Sequence, residues 1–210
     1  MNEMASDSEE TRTLLDRVRS GDRRAFELLF IRHRSDLLRA VELRLDPKLR
    51  PRVDASDVVQ EAQLEALERL PDYLARKPMP FRLWLRKTAY ERLMKIREQH
   101  VDAARRSVNR EVPLPDRSSI QLAQKLVGRG STPSQQLARQ ELIRRVHQTL
   151  AQLPDADREI LVMRYLEKLS NQEVGYILEL DPATVSKRHG RALLRMQKVL
   201  LESGLSESQL

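Results

Sequence analysis

S-N-Q-E-V-G-Y-I-L-E-L-D-P-A-T-V-S-K-R-H-G-R-A-L-L-R, residues 170–195, is the stretch that decides the fold. Ser170 and Glu173 form the S-x-x-E pattern of a capping box, in which each residue satisfies the other's backbone N–H at a helix start. Val174, Ile177 and Leu178 follow at helical spacing. Residues 179–181 break the run. Asp181 is placed to cap a second helix, and Pro182 suits its first position, where a missing N–H costs nothing. Between positions 182 and 198 there are five bases (Lys187, Arg188, Arg191, Arg195, Lys198) and no acid, with Val185, Ala192, Leu193 and Met196 on an apolar side. Two helices, a tight turn and a cationic second helix predict a helix-turn-helix whose second helix fits the DNA major groove. The plain alternative is a helical hairpin with a solvated basic face. Many such turns carry Gly where this chain has Glu179, and a left-handed Glu costs on the order of 1 kcal/mol. Gly190 inside the second helix is also unusual; it permits close backbone approach to DNA or is incidental. His189 beside it reads as solvated or as a phosphate neighbour.

Composition sets the wider limits. The chain has 210 residues, 40% apolar and 4% aromatic, with a net charge of +7 and a pI near 10.0. Such a balance favours a polyanionic partner. No Cys is present, which excludes disulfides and thiolate zinc sites, and four scattered His make a poor metal site. No metal or other cofactor is expected. No apolar run reaches the roughly 18 residues of a membrane span, and the acidic start lacks a signal core. A soluble, cytoplasmic chain with no membrane partner is expected.

The charge is segregated. Residues 54–72 hold six acids and one base, a net of −5, while residues 76–110 hold eleven bases and three acids, a net of +8. An acidic helix followed by a basic one points to two different partners. The first is predicted over residues 54–70, with Val58, Val59, Ala62, Ala66, Leu67 and Leu70 as its apolar positions and Asp57, Glu61 and Glu65 as an acidic stripe four residues apart. Residues 71–80 read as a loop from their three prolines. From Phe81 the apolar positions Phe81, Trp84, Leu85, Thr88, Ala89, Leu93 and Ile96 repeat cleanly, with Trp84 read as core, and a basic helix is predicted to about residue 110. Helices are also predicted before residue 20, over 23–45, over 134–150 and over 155–166. No strand signal stands out. The expected fold is all-α, with two small helical domains: a disordered tail (1–9), a first domain (10–110), a flexible linker rich in Pro, Gly and Ser (111–133), a second domain ending in the helix-turn-helix (134–202), and a disordered tail (203–210).

The arrangement resembles the bacterial extracytoplasmic-function (ECF) sigma factors, two-domain subunits of RNA polymerase. The motifs that carry the resemblance are A-F-E-L-L-F (25–30), D-V-V-Q-E (57–61), F-R-L-W-L-R-K-T-A (81–89), L-P-D-A-D-R-E-I-L (153–161) and Y-L-E-K-L-S-N-Q-E-V with the helix-turn-helix after it. The resemblance covers about residues 10–107 and 134–200, and it implies roles. Asp57, Val58, Gln60 and Glu61 would dock on the clamp coiled coil of the largest subunit of core RNA polymerase. Arg82, Arg86, Lys87, Tyr90, Arg92 and Lys95 would bind and open the minus-ten element of promoter DNA, with Tyr73 or Tyr90 stacking on an unpaired base. Thr184, Ser186, Lys187, Arg188 and Arg191 would read the minus-thirty-five element. An anti-sigma factor is a further candidate partner. Tyr90-Glu91 and Met94-Lys95 depart from the family's usual residues, which leaves the base preference open.

Two other readings compete. A stand-alone helix-turn-helix regulator explains residues 170–195 but not the cationic stretch 76–110. An enzyme holding a divalent metal on Asp54, Asp57 and Glu61 has ligands at i, i+4 but no phosphate loop, His cluster or nucleophile motif beside them. No enzymatic activity and no catalytic residue are therefore expected.

Overall fold

A computed structural model of the chain describes residues 7–45, 53–105 and 136–202, and all the regular structure among them is helical. The chain divides into two compact units, with the main division after residue 112. The proposed linker 111–133 and the tail 203–210 lie outside the described residues, as does the continuation of the basic helix past residue 105.

The first unit is built from α1 (Glu9–Arg19), α2 (Arg23–Glu42), α3 (Ala55–Arg76) and α4 (Phe81–Arg105). Three of these starts are set by local side chains. Ser8 Oγ accepts the Thr11 N–H at 3.3 Å, Asp22 accepts those of Arg24 and Ala25 at 3.0 and 3.4 Å, and Asp54 accepts that of Ser56 at 2.7 Å. Each satisfies a donor that the helix itself leaves orphaned. The core joins Phe26, Leu29 and Phe30 of α2, Val58, Val59, Ala62 and Ala66 of α3, and Phe81, Trp84, Leu85, Ala89 and Leu93 of α4. Trp84 is core, stacked on Tyr73 with ring centroids 4.5 Å apart.

Two sequence expectations give way here. Residues 71–76 are helix rather than loop, with Pro71 inside α3. Burial of Leu70 and Tyr73 on the core side carries the helix through a residue that removes one hydrogen bond. The connection shrinks to residues 77–80, entered by Lys77 in a left-handed conformation (φ 39°) whose N–H donates to Tyr73 O at 2.7 Å. Asp7 and Ser8, expected within the amino-terminal tail, both hold helix starts.

His33 sits against the Phe81 ring with centroids 5.9 Å apart, and its Nε2 is buried without a hydrogen-bond partner among the described residues. Burial first, and then Arg32, hold its pKa below the ordinary 6.5, against the opposing pull of Asp7 and Asp36. Between the depressed folded pKa and 6.5 the unfolded chain binds more protons. Stability is therefore full above pH 6.5 and declines as pH falls toward the folded pKa, with about 1.4 kcal/mol at stake per unit of depression. Urea midpoints measured from pH 7 to pH 5 should fall, and His33→Gln should flatten that slope.

After the main division the chain forms α5 (Gln136–Gln152), α6 (Asp155–Leu161), which runs on into a π-helical turn (Val162–Leu166), α7 (Asn171–Leu178) and α8 (Pro182–Glu202), and the second unit has its own core. Val146, Leu150, Leu153, Leu161, Val162, Ala192 and Leu200 form its core. An Arg195–Asp157 ion pair ties α8 to α6. Arg195 therefore belongs to the scaffold and not to the cationic face.

Candidate nucleic-acid and protein-docking surfaces

The turn between α7 and α8 is built by the residues that the sequence pattern names. Ser170 N–H donates to Glu173 Oε2 at 2.7 Å, and Glu173 N–H donates to Ser170 Oγ at 3.2 Å, the two halves of a capping box. At the far end of α7, Glu179 is left-handed (φ 54°) and Leu180 N–H donates to Gly175 O at 3.0 Å. A left-handed residue followed by this backward bond is the Schellman ending, here with Glu where Gly is usual. Asp181 Oδ1 then accepts the Thr184 N–H at 2.8 Å and starts α8. These bonds to Thr184, the side-chain bond first, hold the Asp181 carboxyl below the usual range.

Along α8, Val185 and Ala192 are fully buried. Away from them Ser186, Lys187 and Arg191 are exposed and Thr184 is half-buried, while Arg188, three residues after Val185 and four before Ala192, is half-buried at the edge of the packed side. None of Lys187, Arg188 and Arg191 is ion-paired among the described residues. The Thr184 hydroxyl is already engaged with Asp181. His189 faces inward, against expectation. Its ring lies 5.7 Å from Tyr165, its Nε2 is buried without a partner, and burial followed by Arg164 lowers its pKa.

Gly190 has open space where a side chain would begin, so nothing inside the chain requires glycine there. Gly190→Ala is expected to stabilise α8 by about 0.5–1 kcal/mol. A thermal melt checks the gain. Loss of DNA affinity in the same variant would assign the glycine to close backbone approach.

In the first unit the acidic and basic helices meet. Asp57 and Gln60 are exposed on α3, and Asp57 has no ion-pair partner among the described residues. Val58, named with them, is 0% exposed and holds α3 to the core. Glu61 is exposed but bonded to Arg92 Nε of α4 at 2.6 Å. Glu65 takes Arg69 at 3.2 Å and Lys95 at 3.6 Å, and Arg69 also reaches Glu91 at 3.2 Å. Charges that the sequence separates into two stretches thus partly neutralise each other across the α3–α4 seam.

Among the α4 residues, Lys95 is exposed, and Arg82, Lys87, Tyr90 and Arg92 are half-buried. Arg86 is only 7% exposed, with its guanidinium 5.7 Å over the Tyr90 ring; Arg44 lies 5.9 Å over the same ring. Tyr73 cannot stack on a base in this conformation. It is 3% exposed, burial raises its pKa, and its hydroxyl donates to Met79 O at 3.0 Å.

The sequence reading missed Leu64 and misassigned Leu67. They are 59% and 50% exposed. Leu64 stands seven residues after Asp57 and three after Glu61, on the same helix face. That spacing was the available signal. The metal reading loses a ligand, because Asp54 spends its carboxylate on the α3 cap. No group of His, Cys, Asp and Glu among the described residues is arranged to hold a metal, and no helix among them is long and apolar enough to cross a membrane.

Comparison with known proteins adds an independent line. The family described as sigma-70, region 4, matches residues 143–196, which span α7, the turn and most of α8. The chain is 30% identical over 193 residues to the RNA polymerase sigma-H factor of Pseudomonas aeruginosa, covering 91% of this chain and 94% of that one. It is 28% identical over 179 residues to the ECF RNA polymerase sigma-E factor of Escherichia coli, covering 85% and 88%. Among solved structures, CnrH in complex with the cytosolic domain of CnrY matches with a TM-score of 0.56 at 24% identity, over 94% of this chain and 100% of that one, a likeness of fold.

Proposed function

This chain belongs to the extracytoplasmic-function sigma factors of RNA polymerase, and on that premise we propose how its surfaces divide the work of directing polymerase to promoters. Asp57, Gln60 and Glu61 of α3 dock on the clamp coiled coil of the largest polymerase subunit, with Leu64 adding apolar contact at the centre of the acidic face. Carboxylates and an amide there pair with cationic groups through charge-assisted hydrogen bonds. The α8 helix enters the major groove of the minus-thirty-five element. Arg188 and Arg191 reach base edges, while Lys187, Ser186 and Thr184 hold phosphates. The α4 helix engages and opens the minus-ten element, with Lys95 and Arg92 on phosphates and Tyr90 the aromatic nearest to a base-stacking role.

The observation that carries this reading is the cationic face of α8, whose Lys187, Arg188 and Arg191 have no ion-pair partner among the described residues. An anti-sigma polypeptide is a further expected partner, supported by CnrH, which was solved with the cytosolic domain of CnrY.

A promoter shift assay with and without core polymerase tests the division. Tight, sequence-specific retention is expected only for the holoenzyme, and the slope of log K against log salt should be steep, about −0.9 per phosphate neutralised. Equally tight, sequence-specific binding by the free chain would favour a stand-alone regulator.

A further inference from the structure

The α4 helix starts without a local cap. It follows Pro78-Met79-Pro80, and no side chain of that run can accept a hydrogen bond from the helix end. The N–H groups of Leu83 and Trp84 are satisfied by Pro80 O, both at 3.0 Å. Phe81 is 0% exposed, so its own N–H would be a buried donor with nothing to meet. Asp7 meets it. The Phe81 N–H lies 2.8 Å from Asp7 Oδ1 and 3.0 Å from Oδ2, across 74 residues of sequence. The next residue, Ser8, caps α1. Two consecutive side chains therefore fasten two different helices, and the start of α1 fixes where the Asp7 carboxylate stands. The surroundings are largely aromatic: Phe81 contacts Tyr73, Trp84 and His33, with ring centroids 5.5, 5.6 and 5.9 Å away. Tyr73 in turn holds the 77–80 connection through Met79 O.

We propose that Asp7 is the N-cap of α4 and a positioning residue for promoter opening, fixing the first turn of α4, with Arg82, and the 77–80 connection beside it. This rests on α4 being the strand-opening helix. A negative carboxylate at the positive end of the helix dipole is favourable. It also occupies the end of α4 that would otherwise invite a phosphate, which leaves the cationic flank as the place where DNA is held. A side chain contributed from the amino-terminal segment thus sets the geometry of a helix four elements along the chain.

Two measurements on the full chain test this. In the free protein, amide hydrogen exchange at Phe81 should accelerate in Asp7→Ala by roughly two- to thirtyfold, the range spanned by a lost cap, and much less in Asp7→Asn, which keeps an acceptor. Unchanged exchange at Phe81 would overturn the cap. In reconstituted holoenzyme, on a promoter mapped from wild-type transcripts, Asp7→Ala should lower open-complex formation on duplex DNA by a similar factor. Initiation from the same promoter carrying a pre-opened bubble, and affinity for core polymerase, should stay within about twofold, and Asp7→Asn should restore most of the duplex activity. Equal losses on duplex and bubble templates would reduce Asp7 to a general stabiliser and overturn the positioning role. If instead Arg92→Ala and Lys95→Ala holoenzymes open duplex promoter as wild type does, the assignment of α4 fails, while the exchange result on Asp7 stands separately.

Discussion

Asp57→Lys combined with Glu61→Lys is expected to abolish assembly with core polymerase while leaving a folded chain. Both side chains are exposed, and α3 is held by Val58, Val59 and Ala62, each at most 2% exposed. The substitutions remove no core contact. Asp57 lies in the first turn of α3, so its reversal forfeits a dipole interaction of about 0.3–1 kcal/mol. The Glu61–Arg92 bond is a surface pair, worth roughly 0.2–1 kcal/mol. Folding therefore loses up to about 2 kcal/mol of favourable terms, and the new cations at the helix start and beside Arg92 add repulsion of similar size. At an interface the same reversals put like charges against the cationic partner, at several kcal/mol. A loss of about 4 kcal/mol corresponds to nearly a thousandfold in affinity. Core binding by fluorescence titration, with circular dichroism as the fold control, reads both quantities. Glu61→Gln removes the docking charge at that position without setting a new cation against Arg92, and so separates the two effects. Initiation that persists at wild-type core affinity would overturn the docking assignment.

The α3–α4 seam makes that experiment more informative than a charge count suggests. Glu61 holds Arg92 through Oε2, so a polymerase cation can share the carboxylate through Oε1 or displace Arg92. The exchange is nearly balanced, since each exposed pair is worth little. The net +8 of residues 76–110 is therefore not all available to DNA in the free chain. This fits a protein whose tight promoter binding is expected only in the holoenzyme.

What the sequence made legible is what local chemistry decides. The capping box at Ser170 and Glu173 and the Asp181 cap each rely on partners within three residues, and each is present. The apolar period of residues 81–96 likewise located the α4 core, because a buried stripe must repeat at the helical period. The failures are all tertiary. Pro71 argues for a loop, but packing of Leu70 and Tyr73 outweighs one missing hydrogen bond. Leu67 reads as an apolar position and is half exposed, because the buried stripe of α3 runs through Ala62, Ala66, Leu70 and Tyr73 and Leu67 stands one residue off it. Glu61 and Arg92 lie 31 residues apart, and Asp7 and Phe81 lie 74 apart, and no periodicity couples positions at such distances. The basic neighbours of His189 argue for solvent. The helical register turns it toward Tyr165 instead.

Gly175→Ala is expected to disable the helix-turn-helix through a position whose importance only the fold discloses. A Cβ built on Gly175 would stand 2.4 Å from the Leu180 carbonyl oxygen, a backbone atom that no rotamer change can move aside. The same residue accepts the Leu180 N–H at 3.0 Å, so two backbone segments meet closely here. Added bulk must open the turn. Overpacking of this kind costs about 1–3 kcal/mol, and the cost falls on the Schellman ending that orients α8 against α7. Glu179 already holds a left-handed conformation in that turn, at on the order of 1 kcal/mol, so little reserve remains. The second unit should melt at lower temperature. Affinity for the minus-thirty-five element should fall at least about tenfold even below that melting point, because Lys187, Arg188 and Arg191 no longer arrive together. The proposed docking face at Asp57 and Glu61 shares no residue with the turn, so core affinity should be unchanged. A Gly175→Ala chain that binds core normally yet starts transcription only from promoters independent of the upstream element is the expected phenotype. Full activity on ordinary promoters would mean that α8 does not read DNA in this register.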